Sequence, residues 1–304
     1  MNSTSEEDYA NLVEGFYDKT RNFPQRDIEK YWWYHTIDLG DGLITPGCYD
    51  YRPSLPLFGF PEDMRGMKVL DVGSATGFFA FEFERRGATV TSVEIPSILE
   101  WDCFPGETSR DHLAKVQREL GKLGWTPLKE SVDDLFTKST PDQLYRYLLD
   151  GPFEFCHDRL GSKVARRYSR IYDLSEATVG NKDFDLVFAG DVLVHTIDPL
   201  GALAAVARLC AGLLIIAQDM PDLSNPQPAM LYIGGDKAGQ DCAAWWLPNQ
   251  QCFEQWLRKL GFSSVNAAGS HSGVMRPGTV TYKRTILHAA KSPGISPPSK
   301  SKTV

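Results

Sequence analysis

From Lys68 onward, short apolar runs alternate with stretches of helical period. The apolar runs are KVLDVG, TVTSVEI, RYSRIYDL, FDLVFAG and GLLIIAQDM. Each is too short for a helix and rich enough in Val, Ile, Leu and Phe to be a strand covered on both faces. Between the first two lies FFAFEFERRG, a helix that Gly87 can end. Between the last two lies DPLGALAAVARLC, a second helix. Repeated strand–helix–strand units predict an α/β fold of Rossmann-like type, a doubly wound and mostly parallel sheet. Near the end, SSVNAAGS and TVTYKRTILHAA read as an antiparallel pair that makes the C-terminal strand antiparallel. The amphipathic helix NQQCFEQWLRKLGF precedes them, with Gly261 as its stop.

Three stretches break this rhythm. Residues 1–60 hold helical segments and a dense aromatic run, YWWYHTIDLGDGLITPGCYDY, and are expected to form a cap or lid. Residues 97–149 are more chain than one crossover needs. They predict a helical insertion, with DHLAKVQRELGKLG and TPDQLYRYLLDG as helices, followed by a helix FEFCHDRLGSKVARR. The domain proper is expected over 61–290. The tail 291–304, rich in Pro, Ser and Lys, is expected to be disordered.

Composition narrows the classes. The longest apolar stretch, LCAGLLIIA, is far too short to span a bilayer, and the first residues are acidic and polar, unlike a secretory signal. Six cysteines form no CxxC pair and no cluster with histidines, so neither zinc nor a disulfide framework is expected. Together these predict a protein of the cytoplasm with no metal. The net charge of −7 gives no general attraction to nucleic acid. The short basic group Lys163, Arg166, Arg167 and Arg170 is expected to be a solvated helix face, with RNA phosphate contact as the alternative.

The chemistry concentrates where the first strand ends. Asp71 is followed by Gly73-Ser74-Ala75-Thr76-Gly77-Phe78, and the second strand ends in Glu94-Ile95. A glycine turn opening a helix at the carboxyl end of a parallel strand is where such sheets bind nucleotide-like ligands. The dinucleotide pattern G-x-G-x-x-G fails at Ala75 and at Phe78. The segment instead resembles the first motif of the class I S-adenosylmethionine (SAM) methyltransferases, an acidic residue followed by Gly-x-Gly-x-Gly. Asp71, Gly73 and Gly77 match, with Ala75 in the middle place. The resemblance implies SAM as cofactor, with Glu94 on the ribose hydroxyls and Ile95 beside it. It also implies Asp173 and Leu174 at the adenine, and Gly190 and Asp191 lining the methionine end.

The acceptor side is less defined. Tyr34 and His35 in the aromatic run, and Trp246 before the amphipathic helix, are candidate substrate contacts; packing is the competing role for each. His195 is a candidate general base, since its ordinary pKa lies near neutrality, or a pocket-wall residue. The expected reaction is in-line transfer of the sulfonium methyl to a small molecule. FAGDVLVHTIDPLGAL and Trp246-Leu247-Pro248 are also similar to the enzymes that modify tRNA wobble uridine with carboxy-SAM, but Val194 stands where that branch has Tyr. A tRNA methyl- or carboxymethyltransferase is therefore one alternative, and a non-catalytic SAM- or nucleotide-binding regulator another. A homodimer is a further expectation.

Overall fold

The computed structural model describes residues 3–25, 27–122, 131–223, 227–237, 244–278 and 280–291. The expected tail lies almost wholly outside the described residues.

Seven strands form one sheet: β1 (Lys68–Val72), β2 (Thr89–Glu94), β3 (Ala165–Tyr168), β4 (Phe184–Gly190), β5 (Cys210–Gln218), and the later β8 (Ser264–Met275) and β9 (Val280–Ala290). Their order is β3-β2-β1-β4-β5-β9-β8. The first five are parallel to one another, and β9 inserts antiparallel between β5 and β8. A separate two-stranded ribbon pairs β6 (Met230–Tyr232) with β7 (Trp246–Pro248). Strand order reverses between β1 and β4, which places the crevice for a ligand above their carboxyl ends.

The helices are α1 (Ser3–Thr20), α2 (Phe78–Arg85), α3 (Ser109–Lys122), α4 (Val132–Lys138), α5 (Pro141–Tyr145), α6 (Gly151–Leu160), α7 (Glu176–Val179), α8 (Pro199–Leu209) and α9 (Gln250–Lys259). A π-helical turn, Arg146–Asp150, joins α5 to α6. On one face of the sheet, α8 and α9 bury Leu203, Val206, Phe253 and Leu257 against Val187, Leu214 and Leu287. On the other face lies α2, whose Phe78, Phe79, Phe81 and Phe83 are all buried. A helix apolar all round must be covered all round. The cover is supplied by the N-terminal residues and the insertion: Phe16, Trp33, Tyr51, Phe58, Phe153 and Phe155 belong to the same cluster as the α2 phenylalanines and Phe188 of the sheet. Residues 1–60 thus share the core of the sheet domain.

Two sequence expectations shift here. The helix expected over residues 153–167 stops at Leu160, because Gly161 turns left-handed (φ 59°), and Ala165–Tyr168 become β3. The strand expected over RYSRIYDL therefore begins two residues earlier and ends at Tyr168. Beyond it, Ile171–Asp173 form a 3-10 turn.

Candidate functional site

A cavity of about 800 Å³ opens above the carboxyl ends of β1, β2 and β4. Its floor is the glycine turn. Gly73 has φ 69°, and a Cβ there would stand 2.7 Å from Cγ2 of Val192 after β4. Only a residue without a side chain lets the two strand ends close so tightly. Ala75 also lies in the left-handed region, φ 47°. Gly77 begins α2 and packs against Phe81 and Phe153 rather than the cavity.

The two carboxylates singled out in the sequence meet at this turn. Glu94 is 8% exposed. Its Oε2 accepts from the Ala75 N–H at 2.9 Å, and its Oε1 accepts from the Ile95 N–H at 2.9 Å. A carboxylate has about four acceptor positions, so both oxygens keep capacity toward the cavity, which Glu94 and Ile95 line. Asp71 lies behind the turn, and its Oδ2 is buried with no hydrogen-bond partner among the described residues. Burial pushes the Asp71 carboxyl up to about 7, with Arg166 pulling it down and Glu94 adding to the rise.

Ser74 is held by a residue that the sequence reading put on a solvated face. Arg166 is nearly buried on β3, its side chain 9% exposed. Its Nη1 donates to Ser74 Oγ at 2.5 Å and Ser92 Oγ at 3.0 Å. Its Nη2 donates to the Ala75 carbonyl at 3.1 Å and to Asp150 at 3.4 Å. The guanidinium also lies 4.2 Å from the Phe153 ring centroid. The expected solvated face is thus corrected for Arg166: β3 starts before it and turns it inward, beneath the turn. The only sequence signal was a basic residue at a position of a parallel strand that is normally apolar.

Past the turn, the sequence expectations divide. Gly190 and Asp191 line the cavity, as do Tyr34, His35 and His195. Asp173, Leu174 and Trp246 do not. Leu174 is buried in the α8 face of the core, and Asp173 is exposed on the 3-10 turn. The early end of β3 is the reason: it brings Ile171 and Tyr172 to the wall instead. Tyr172 Oη donates to Asp102 of the insertion, whose other contacts are Arg170 and the Ile197 N–H. Trp246 turns aside, its indole N–H donating to the Ile197 carbonyl at 3.1 Å. Its neighbour Trp245 is fully buried under Lys115, whose ammonium lies 4.6 Å from the ring centroid.

His35 is fixed at the base of the cavity. Its N–H donates to Thr76 Oγ1 and its Nδ1 shares a 3.1 Å hydrogen bond with the same hydroxyl. Burial lowers its pKa to about 3, so the ring is neutral. His195 ends the 3-10 turn Leu193–His195 and is exposed at the cavity rim. Asp191, four residues earlier, sits in the left-handed region (φ 50°) and pairs with Arg284 of β9. Among the described residues, no three His, Cys, Asp or Glu side chains group as metal ligands, and no helix is long and apolar enough to cross a membrane.

The chain matches the methyltransferase domain family over residues 49–267, most of its length, and belongs to that family. Its sheet order and glycine turn are those of the class I SAM-dependent methyltransferases. Among solved structures it is similar to the N-terminal domain of EvdMO1 crystallised with S-adenosylhomocysteine (SAH) and D-fucose, at 14% identity and TM-score 0.52, covering 89% of this chain and 96% of that one. It is also similar to the 1,6-didemethyltoxoflavin-N1-methyltransferase of Burkholderia thailandensis, at 14% identity and TM-score 0.44, covering 93% and 87% of the two chains. A tRNA U34 carboxymethyltransferase of Trichodesmium erythraeum is 30% identical over 93 residues; the match spans 27% of this chain and a quarter of the relative.

Proposed function

We infer that the protein transfers the methyl group of SAM to a small-molecule acceptor. The observation that carries this reading is the floor of the cavity. A glycine-bounded turn is tied to Glu94 with open acceptor capacity, and Asp71 beneath it has a buried oxygen that lacks a partner. Buried polar atoms are rarely left unmade, and an adenosyl amino acid offers donors to both groups. Glu94 takes the ribose hydroxyls, Gly73, Ser74, Ala75 and Ile95 supply backbone around them, and Asp71 orients the amino-acid end beside Gly190 and Asp191. Ile171 and Tyr172 take the place at the adenine first assigned to Asp173 and Leu174. Gly77 acts through the shape of the turn.

When bound, SAM supplies an electrophilic methyl on a sulfonium, and in-line attack needs alignment and dryness more than acid–base groups. The aromatic walls exclude water, and Asp191, Tyr34 and His35 bound the reacting end. His195 at the rim is a candidate proton acceptor for the nucleophile. The similar EvdMO1 domain was crystallised in the presence of SAH and D-fucose, which favours a small-molecule acceptor. The acidic net charge supports it further.

Calorimetric titration with SAM, SAH and NAD tests the reading. Micromolar binding of SAH without binding of NAD supports it; the reverse removes it. Glu94→Ala should weaken SAH by about 1.5–3 kcal/mol, the cost of losing hydrogen bonds to a charged group.

A further inference from the structure

At the acceptor end of the cavity the N-terminal residues bring three tyrosines together. Tyr34, Tyr49 and Tyr51 all line the cavity. The Tyr49 N–H donates to the Tyr34 carbonyl at 2.9 Å, which sets their two strands of backbone side by side. The Tyr49 and Tyr51 rings lie nearly parallel, 5.8 Å apart. The three hydroxyls make no hydrogen bond with any described residue and are accessible from the cavity. Burial raises the pKa of all three, so each keeps its proton.

All three are electrostatically coupled to Asp191, and Tyr34 and Tyr51 also to Arg284, whose guanidinium lines the same cavity. Arg284 gives its Nε–H to Asp191 and one Nη1–H to the Lys283 carbonyl. Nη2, with two protons, has no partner among the described residues. Burial works against the charge of Arg284, but Asp191 more than offsets it, so the guanidinium stays protonated.

The cluster is therefore rich in donors, with three hydroxyls that can donate as well as accept. Arginine can only donate, and the one strong acceptor within it, Asp191, is already engaged. We propose that Tyr34, Tyr49, Tyr51 and the Nη2 edge of Arg284 form an acceptor-recognition subsite for a carboxylate group. This rests on the methyl-transfer reading given above. A carboxylate is acceptor-only, with about four positions to fill, and matches the donors in kind. Asp219, the other acid lining this end, is exposed to solvent. The parallel Tyr49 and Tyr51 rings offer a flat wall, so the acceptor is a small carboxylic acid with a planar or apolar body.

The experiment uses the full-length protein saturated with SAH and two matched probes, 4-hydroxybenzoate and 4-hydroxybenzamide, followed by ligand-observed NMR. The proposal expects the acid to bind at least tenfold more tightly than the amide. It expects that preference to fall at least tenfold in the Tyr49→Phe/Tyr51→Phe double variant, with SAH affinity within twofold of wild type, and in Arg284→Gln measured at saturating SAH. The phenylalanine variants keep ring packing, so they report even where Arg284→Gln does not fold. Equal binding of acid and amide, or binding of neither, overturns the subsite. A parallel loss of SAH affinity in the tyrosine variants also overturns it, because the carboxylate held there would be the cofactor's own. If wild-type protein fails to bind SAH at all, it is the methyl-transfer reading that falls.

Discussion

Arg166 donates to Ser74 across 92 positions of sequence, at 2.5 Å, and this contact joins β3 to the turn that floors the cavity. The same guanidinium reaches Ser92 on β2 and Asp150 at the end of the insertion. One side chain thus ties two strands, the cofactor turn and Asp150 together.

Replacing Arg166 by Met should take the charged donor from the Ser74–Ser92 hydroxyl pair and leave Asp150 with the Tyr168 hydroxyl as its side-chain donor. Removing one partner of a buried charged pair costs about 3–5 kcal/mol. The expected outcome is a large fall in thermal midpoint together with weaker SAH binding. Arg166→Lys keeps the charge but loses the planar fork and the face contact with Phe153, and should recover part of the stability and less of the binding. If Arg166→Met binds SAH like wild type, the turn does not depend on this strap.

Asp71 should make SAH affinity depend on pH. Its carboxyl sits near 7 without ligand, raised mainly by burial, and a ligand donating to its free oxygen favours the ionised form. Affinity for SAH should therefore rise as pH increases toward 7 and level off above it. At pH 6, binding should release a proton, visible as a dependence of the calorimetric heat on buffer ionisation enthalpy. Asp71→Asn should bind more weakly and without that dependence.

Stability should run against acid. Burial lowers His35 to about 3 and His112 and His271 each to about 4. Their unfolded values lie near 6.5, so between about 6.5 and 4 the unfolded chain binds more protons and stability is lost as pH falls. Asp71 has the opposite sign. Its folded value exceeds the unfolded one, so its contribution to stability declines as pH rises from about 3.8 to 7. His288, also lowered by burial, adds to the loss, and Asp150 and Asp191, both raised by burial, act with Asp71; four histidines against three carboxyls leave a net loss on acidification. Thermal midpoints measured from pH 7 to pH 5 should fall, and more steeply in Asp71→Asn. A flat profile would show that the histidines are not buried neutral.

Ala75 holds a left-handed conformation that costs an alanine about 1–2 kcal/mol. Glycine adopts it freely but loses more chain entropy on folding. Ala75→Gly should therefore be neutral to stabilising by up to about 1 kcal/mol, while Gly73→Ala, with its Cβ against Val192, should destabilise by more than that. Chemical denaturation of the two variants gives the comparison directly.

Much of this was legible in the order of residues. KVLDVG, TVTSVEI and FDLVFAG are apolar runs that read as inner strands, and Asp71, Gly73 and Glu94 mark the ends of the first two. Local pattern could not tell where a strand with polar side chains begins. ARRY pairs with β2 through its backbone, and no apolar period announces it, so β3 and the residues after it were displaced. The fate of Trp246 and Arg166 was invisible for a related reason: each is settled by a partner far away in sequence, the Ile197 carbonyl and Ser74. Gly47 is settled at a distance too: a Cβ there would stand 1.9 Å from the carbonyl carbon of His35, so its smallness serves close approach of two backbone segments.

The hydroxyl of Thr76 touches His35, and the Trp32 N–H donates to the Tyr147 carbonyl at 2.8 Å. Together with Arg166 and Asp150, these contacts close a ring through the N-terminal residues, the cofactor turn and the insertion. A closed ring transmits tension in every member when one is fixed. Occupying the turn should therefore slow amide exchange around residues 32–36 and 145–150 as well as at the turn itself, and shortening the chain at its N-terminus would loosen the grip on a cofactor those residues need not touch.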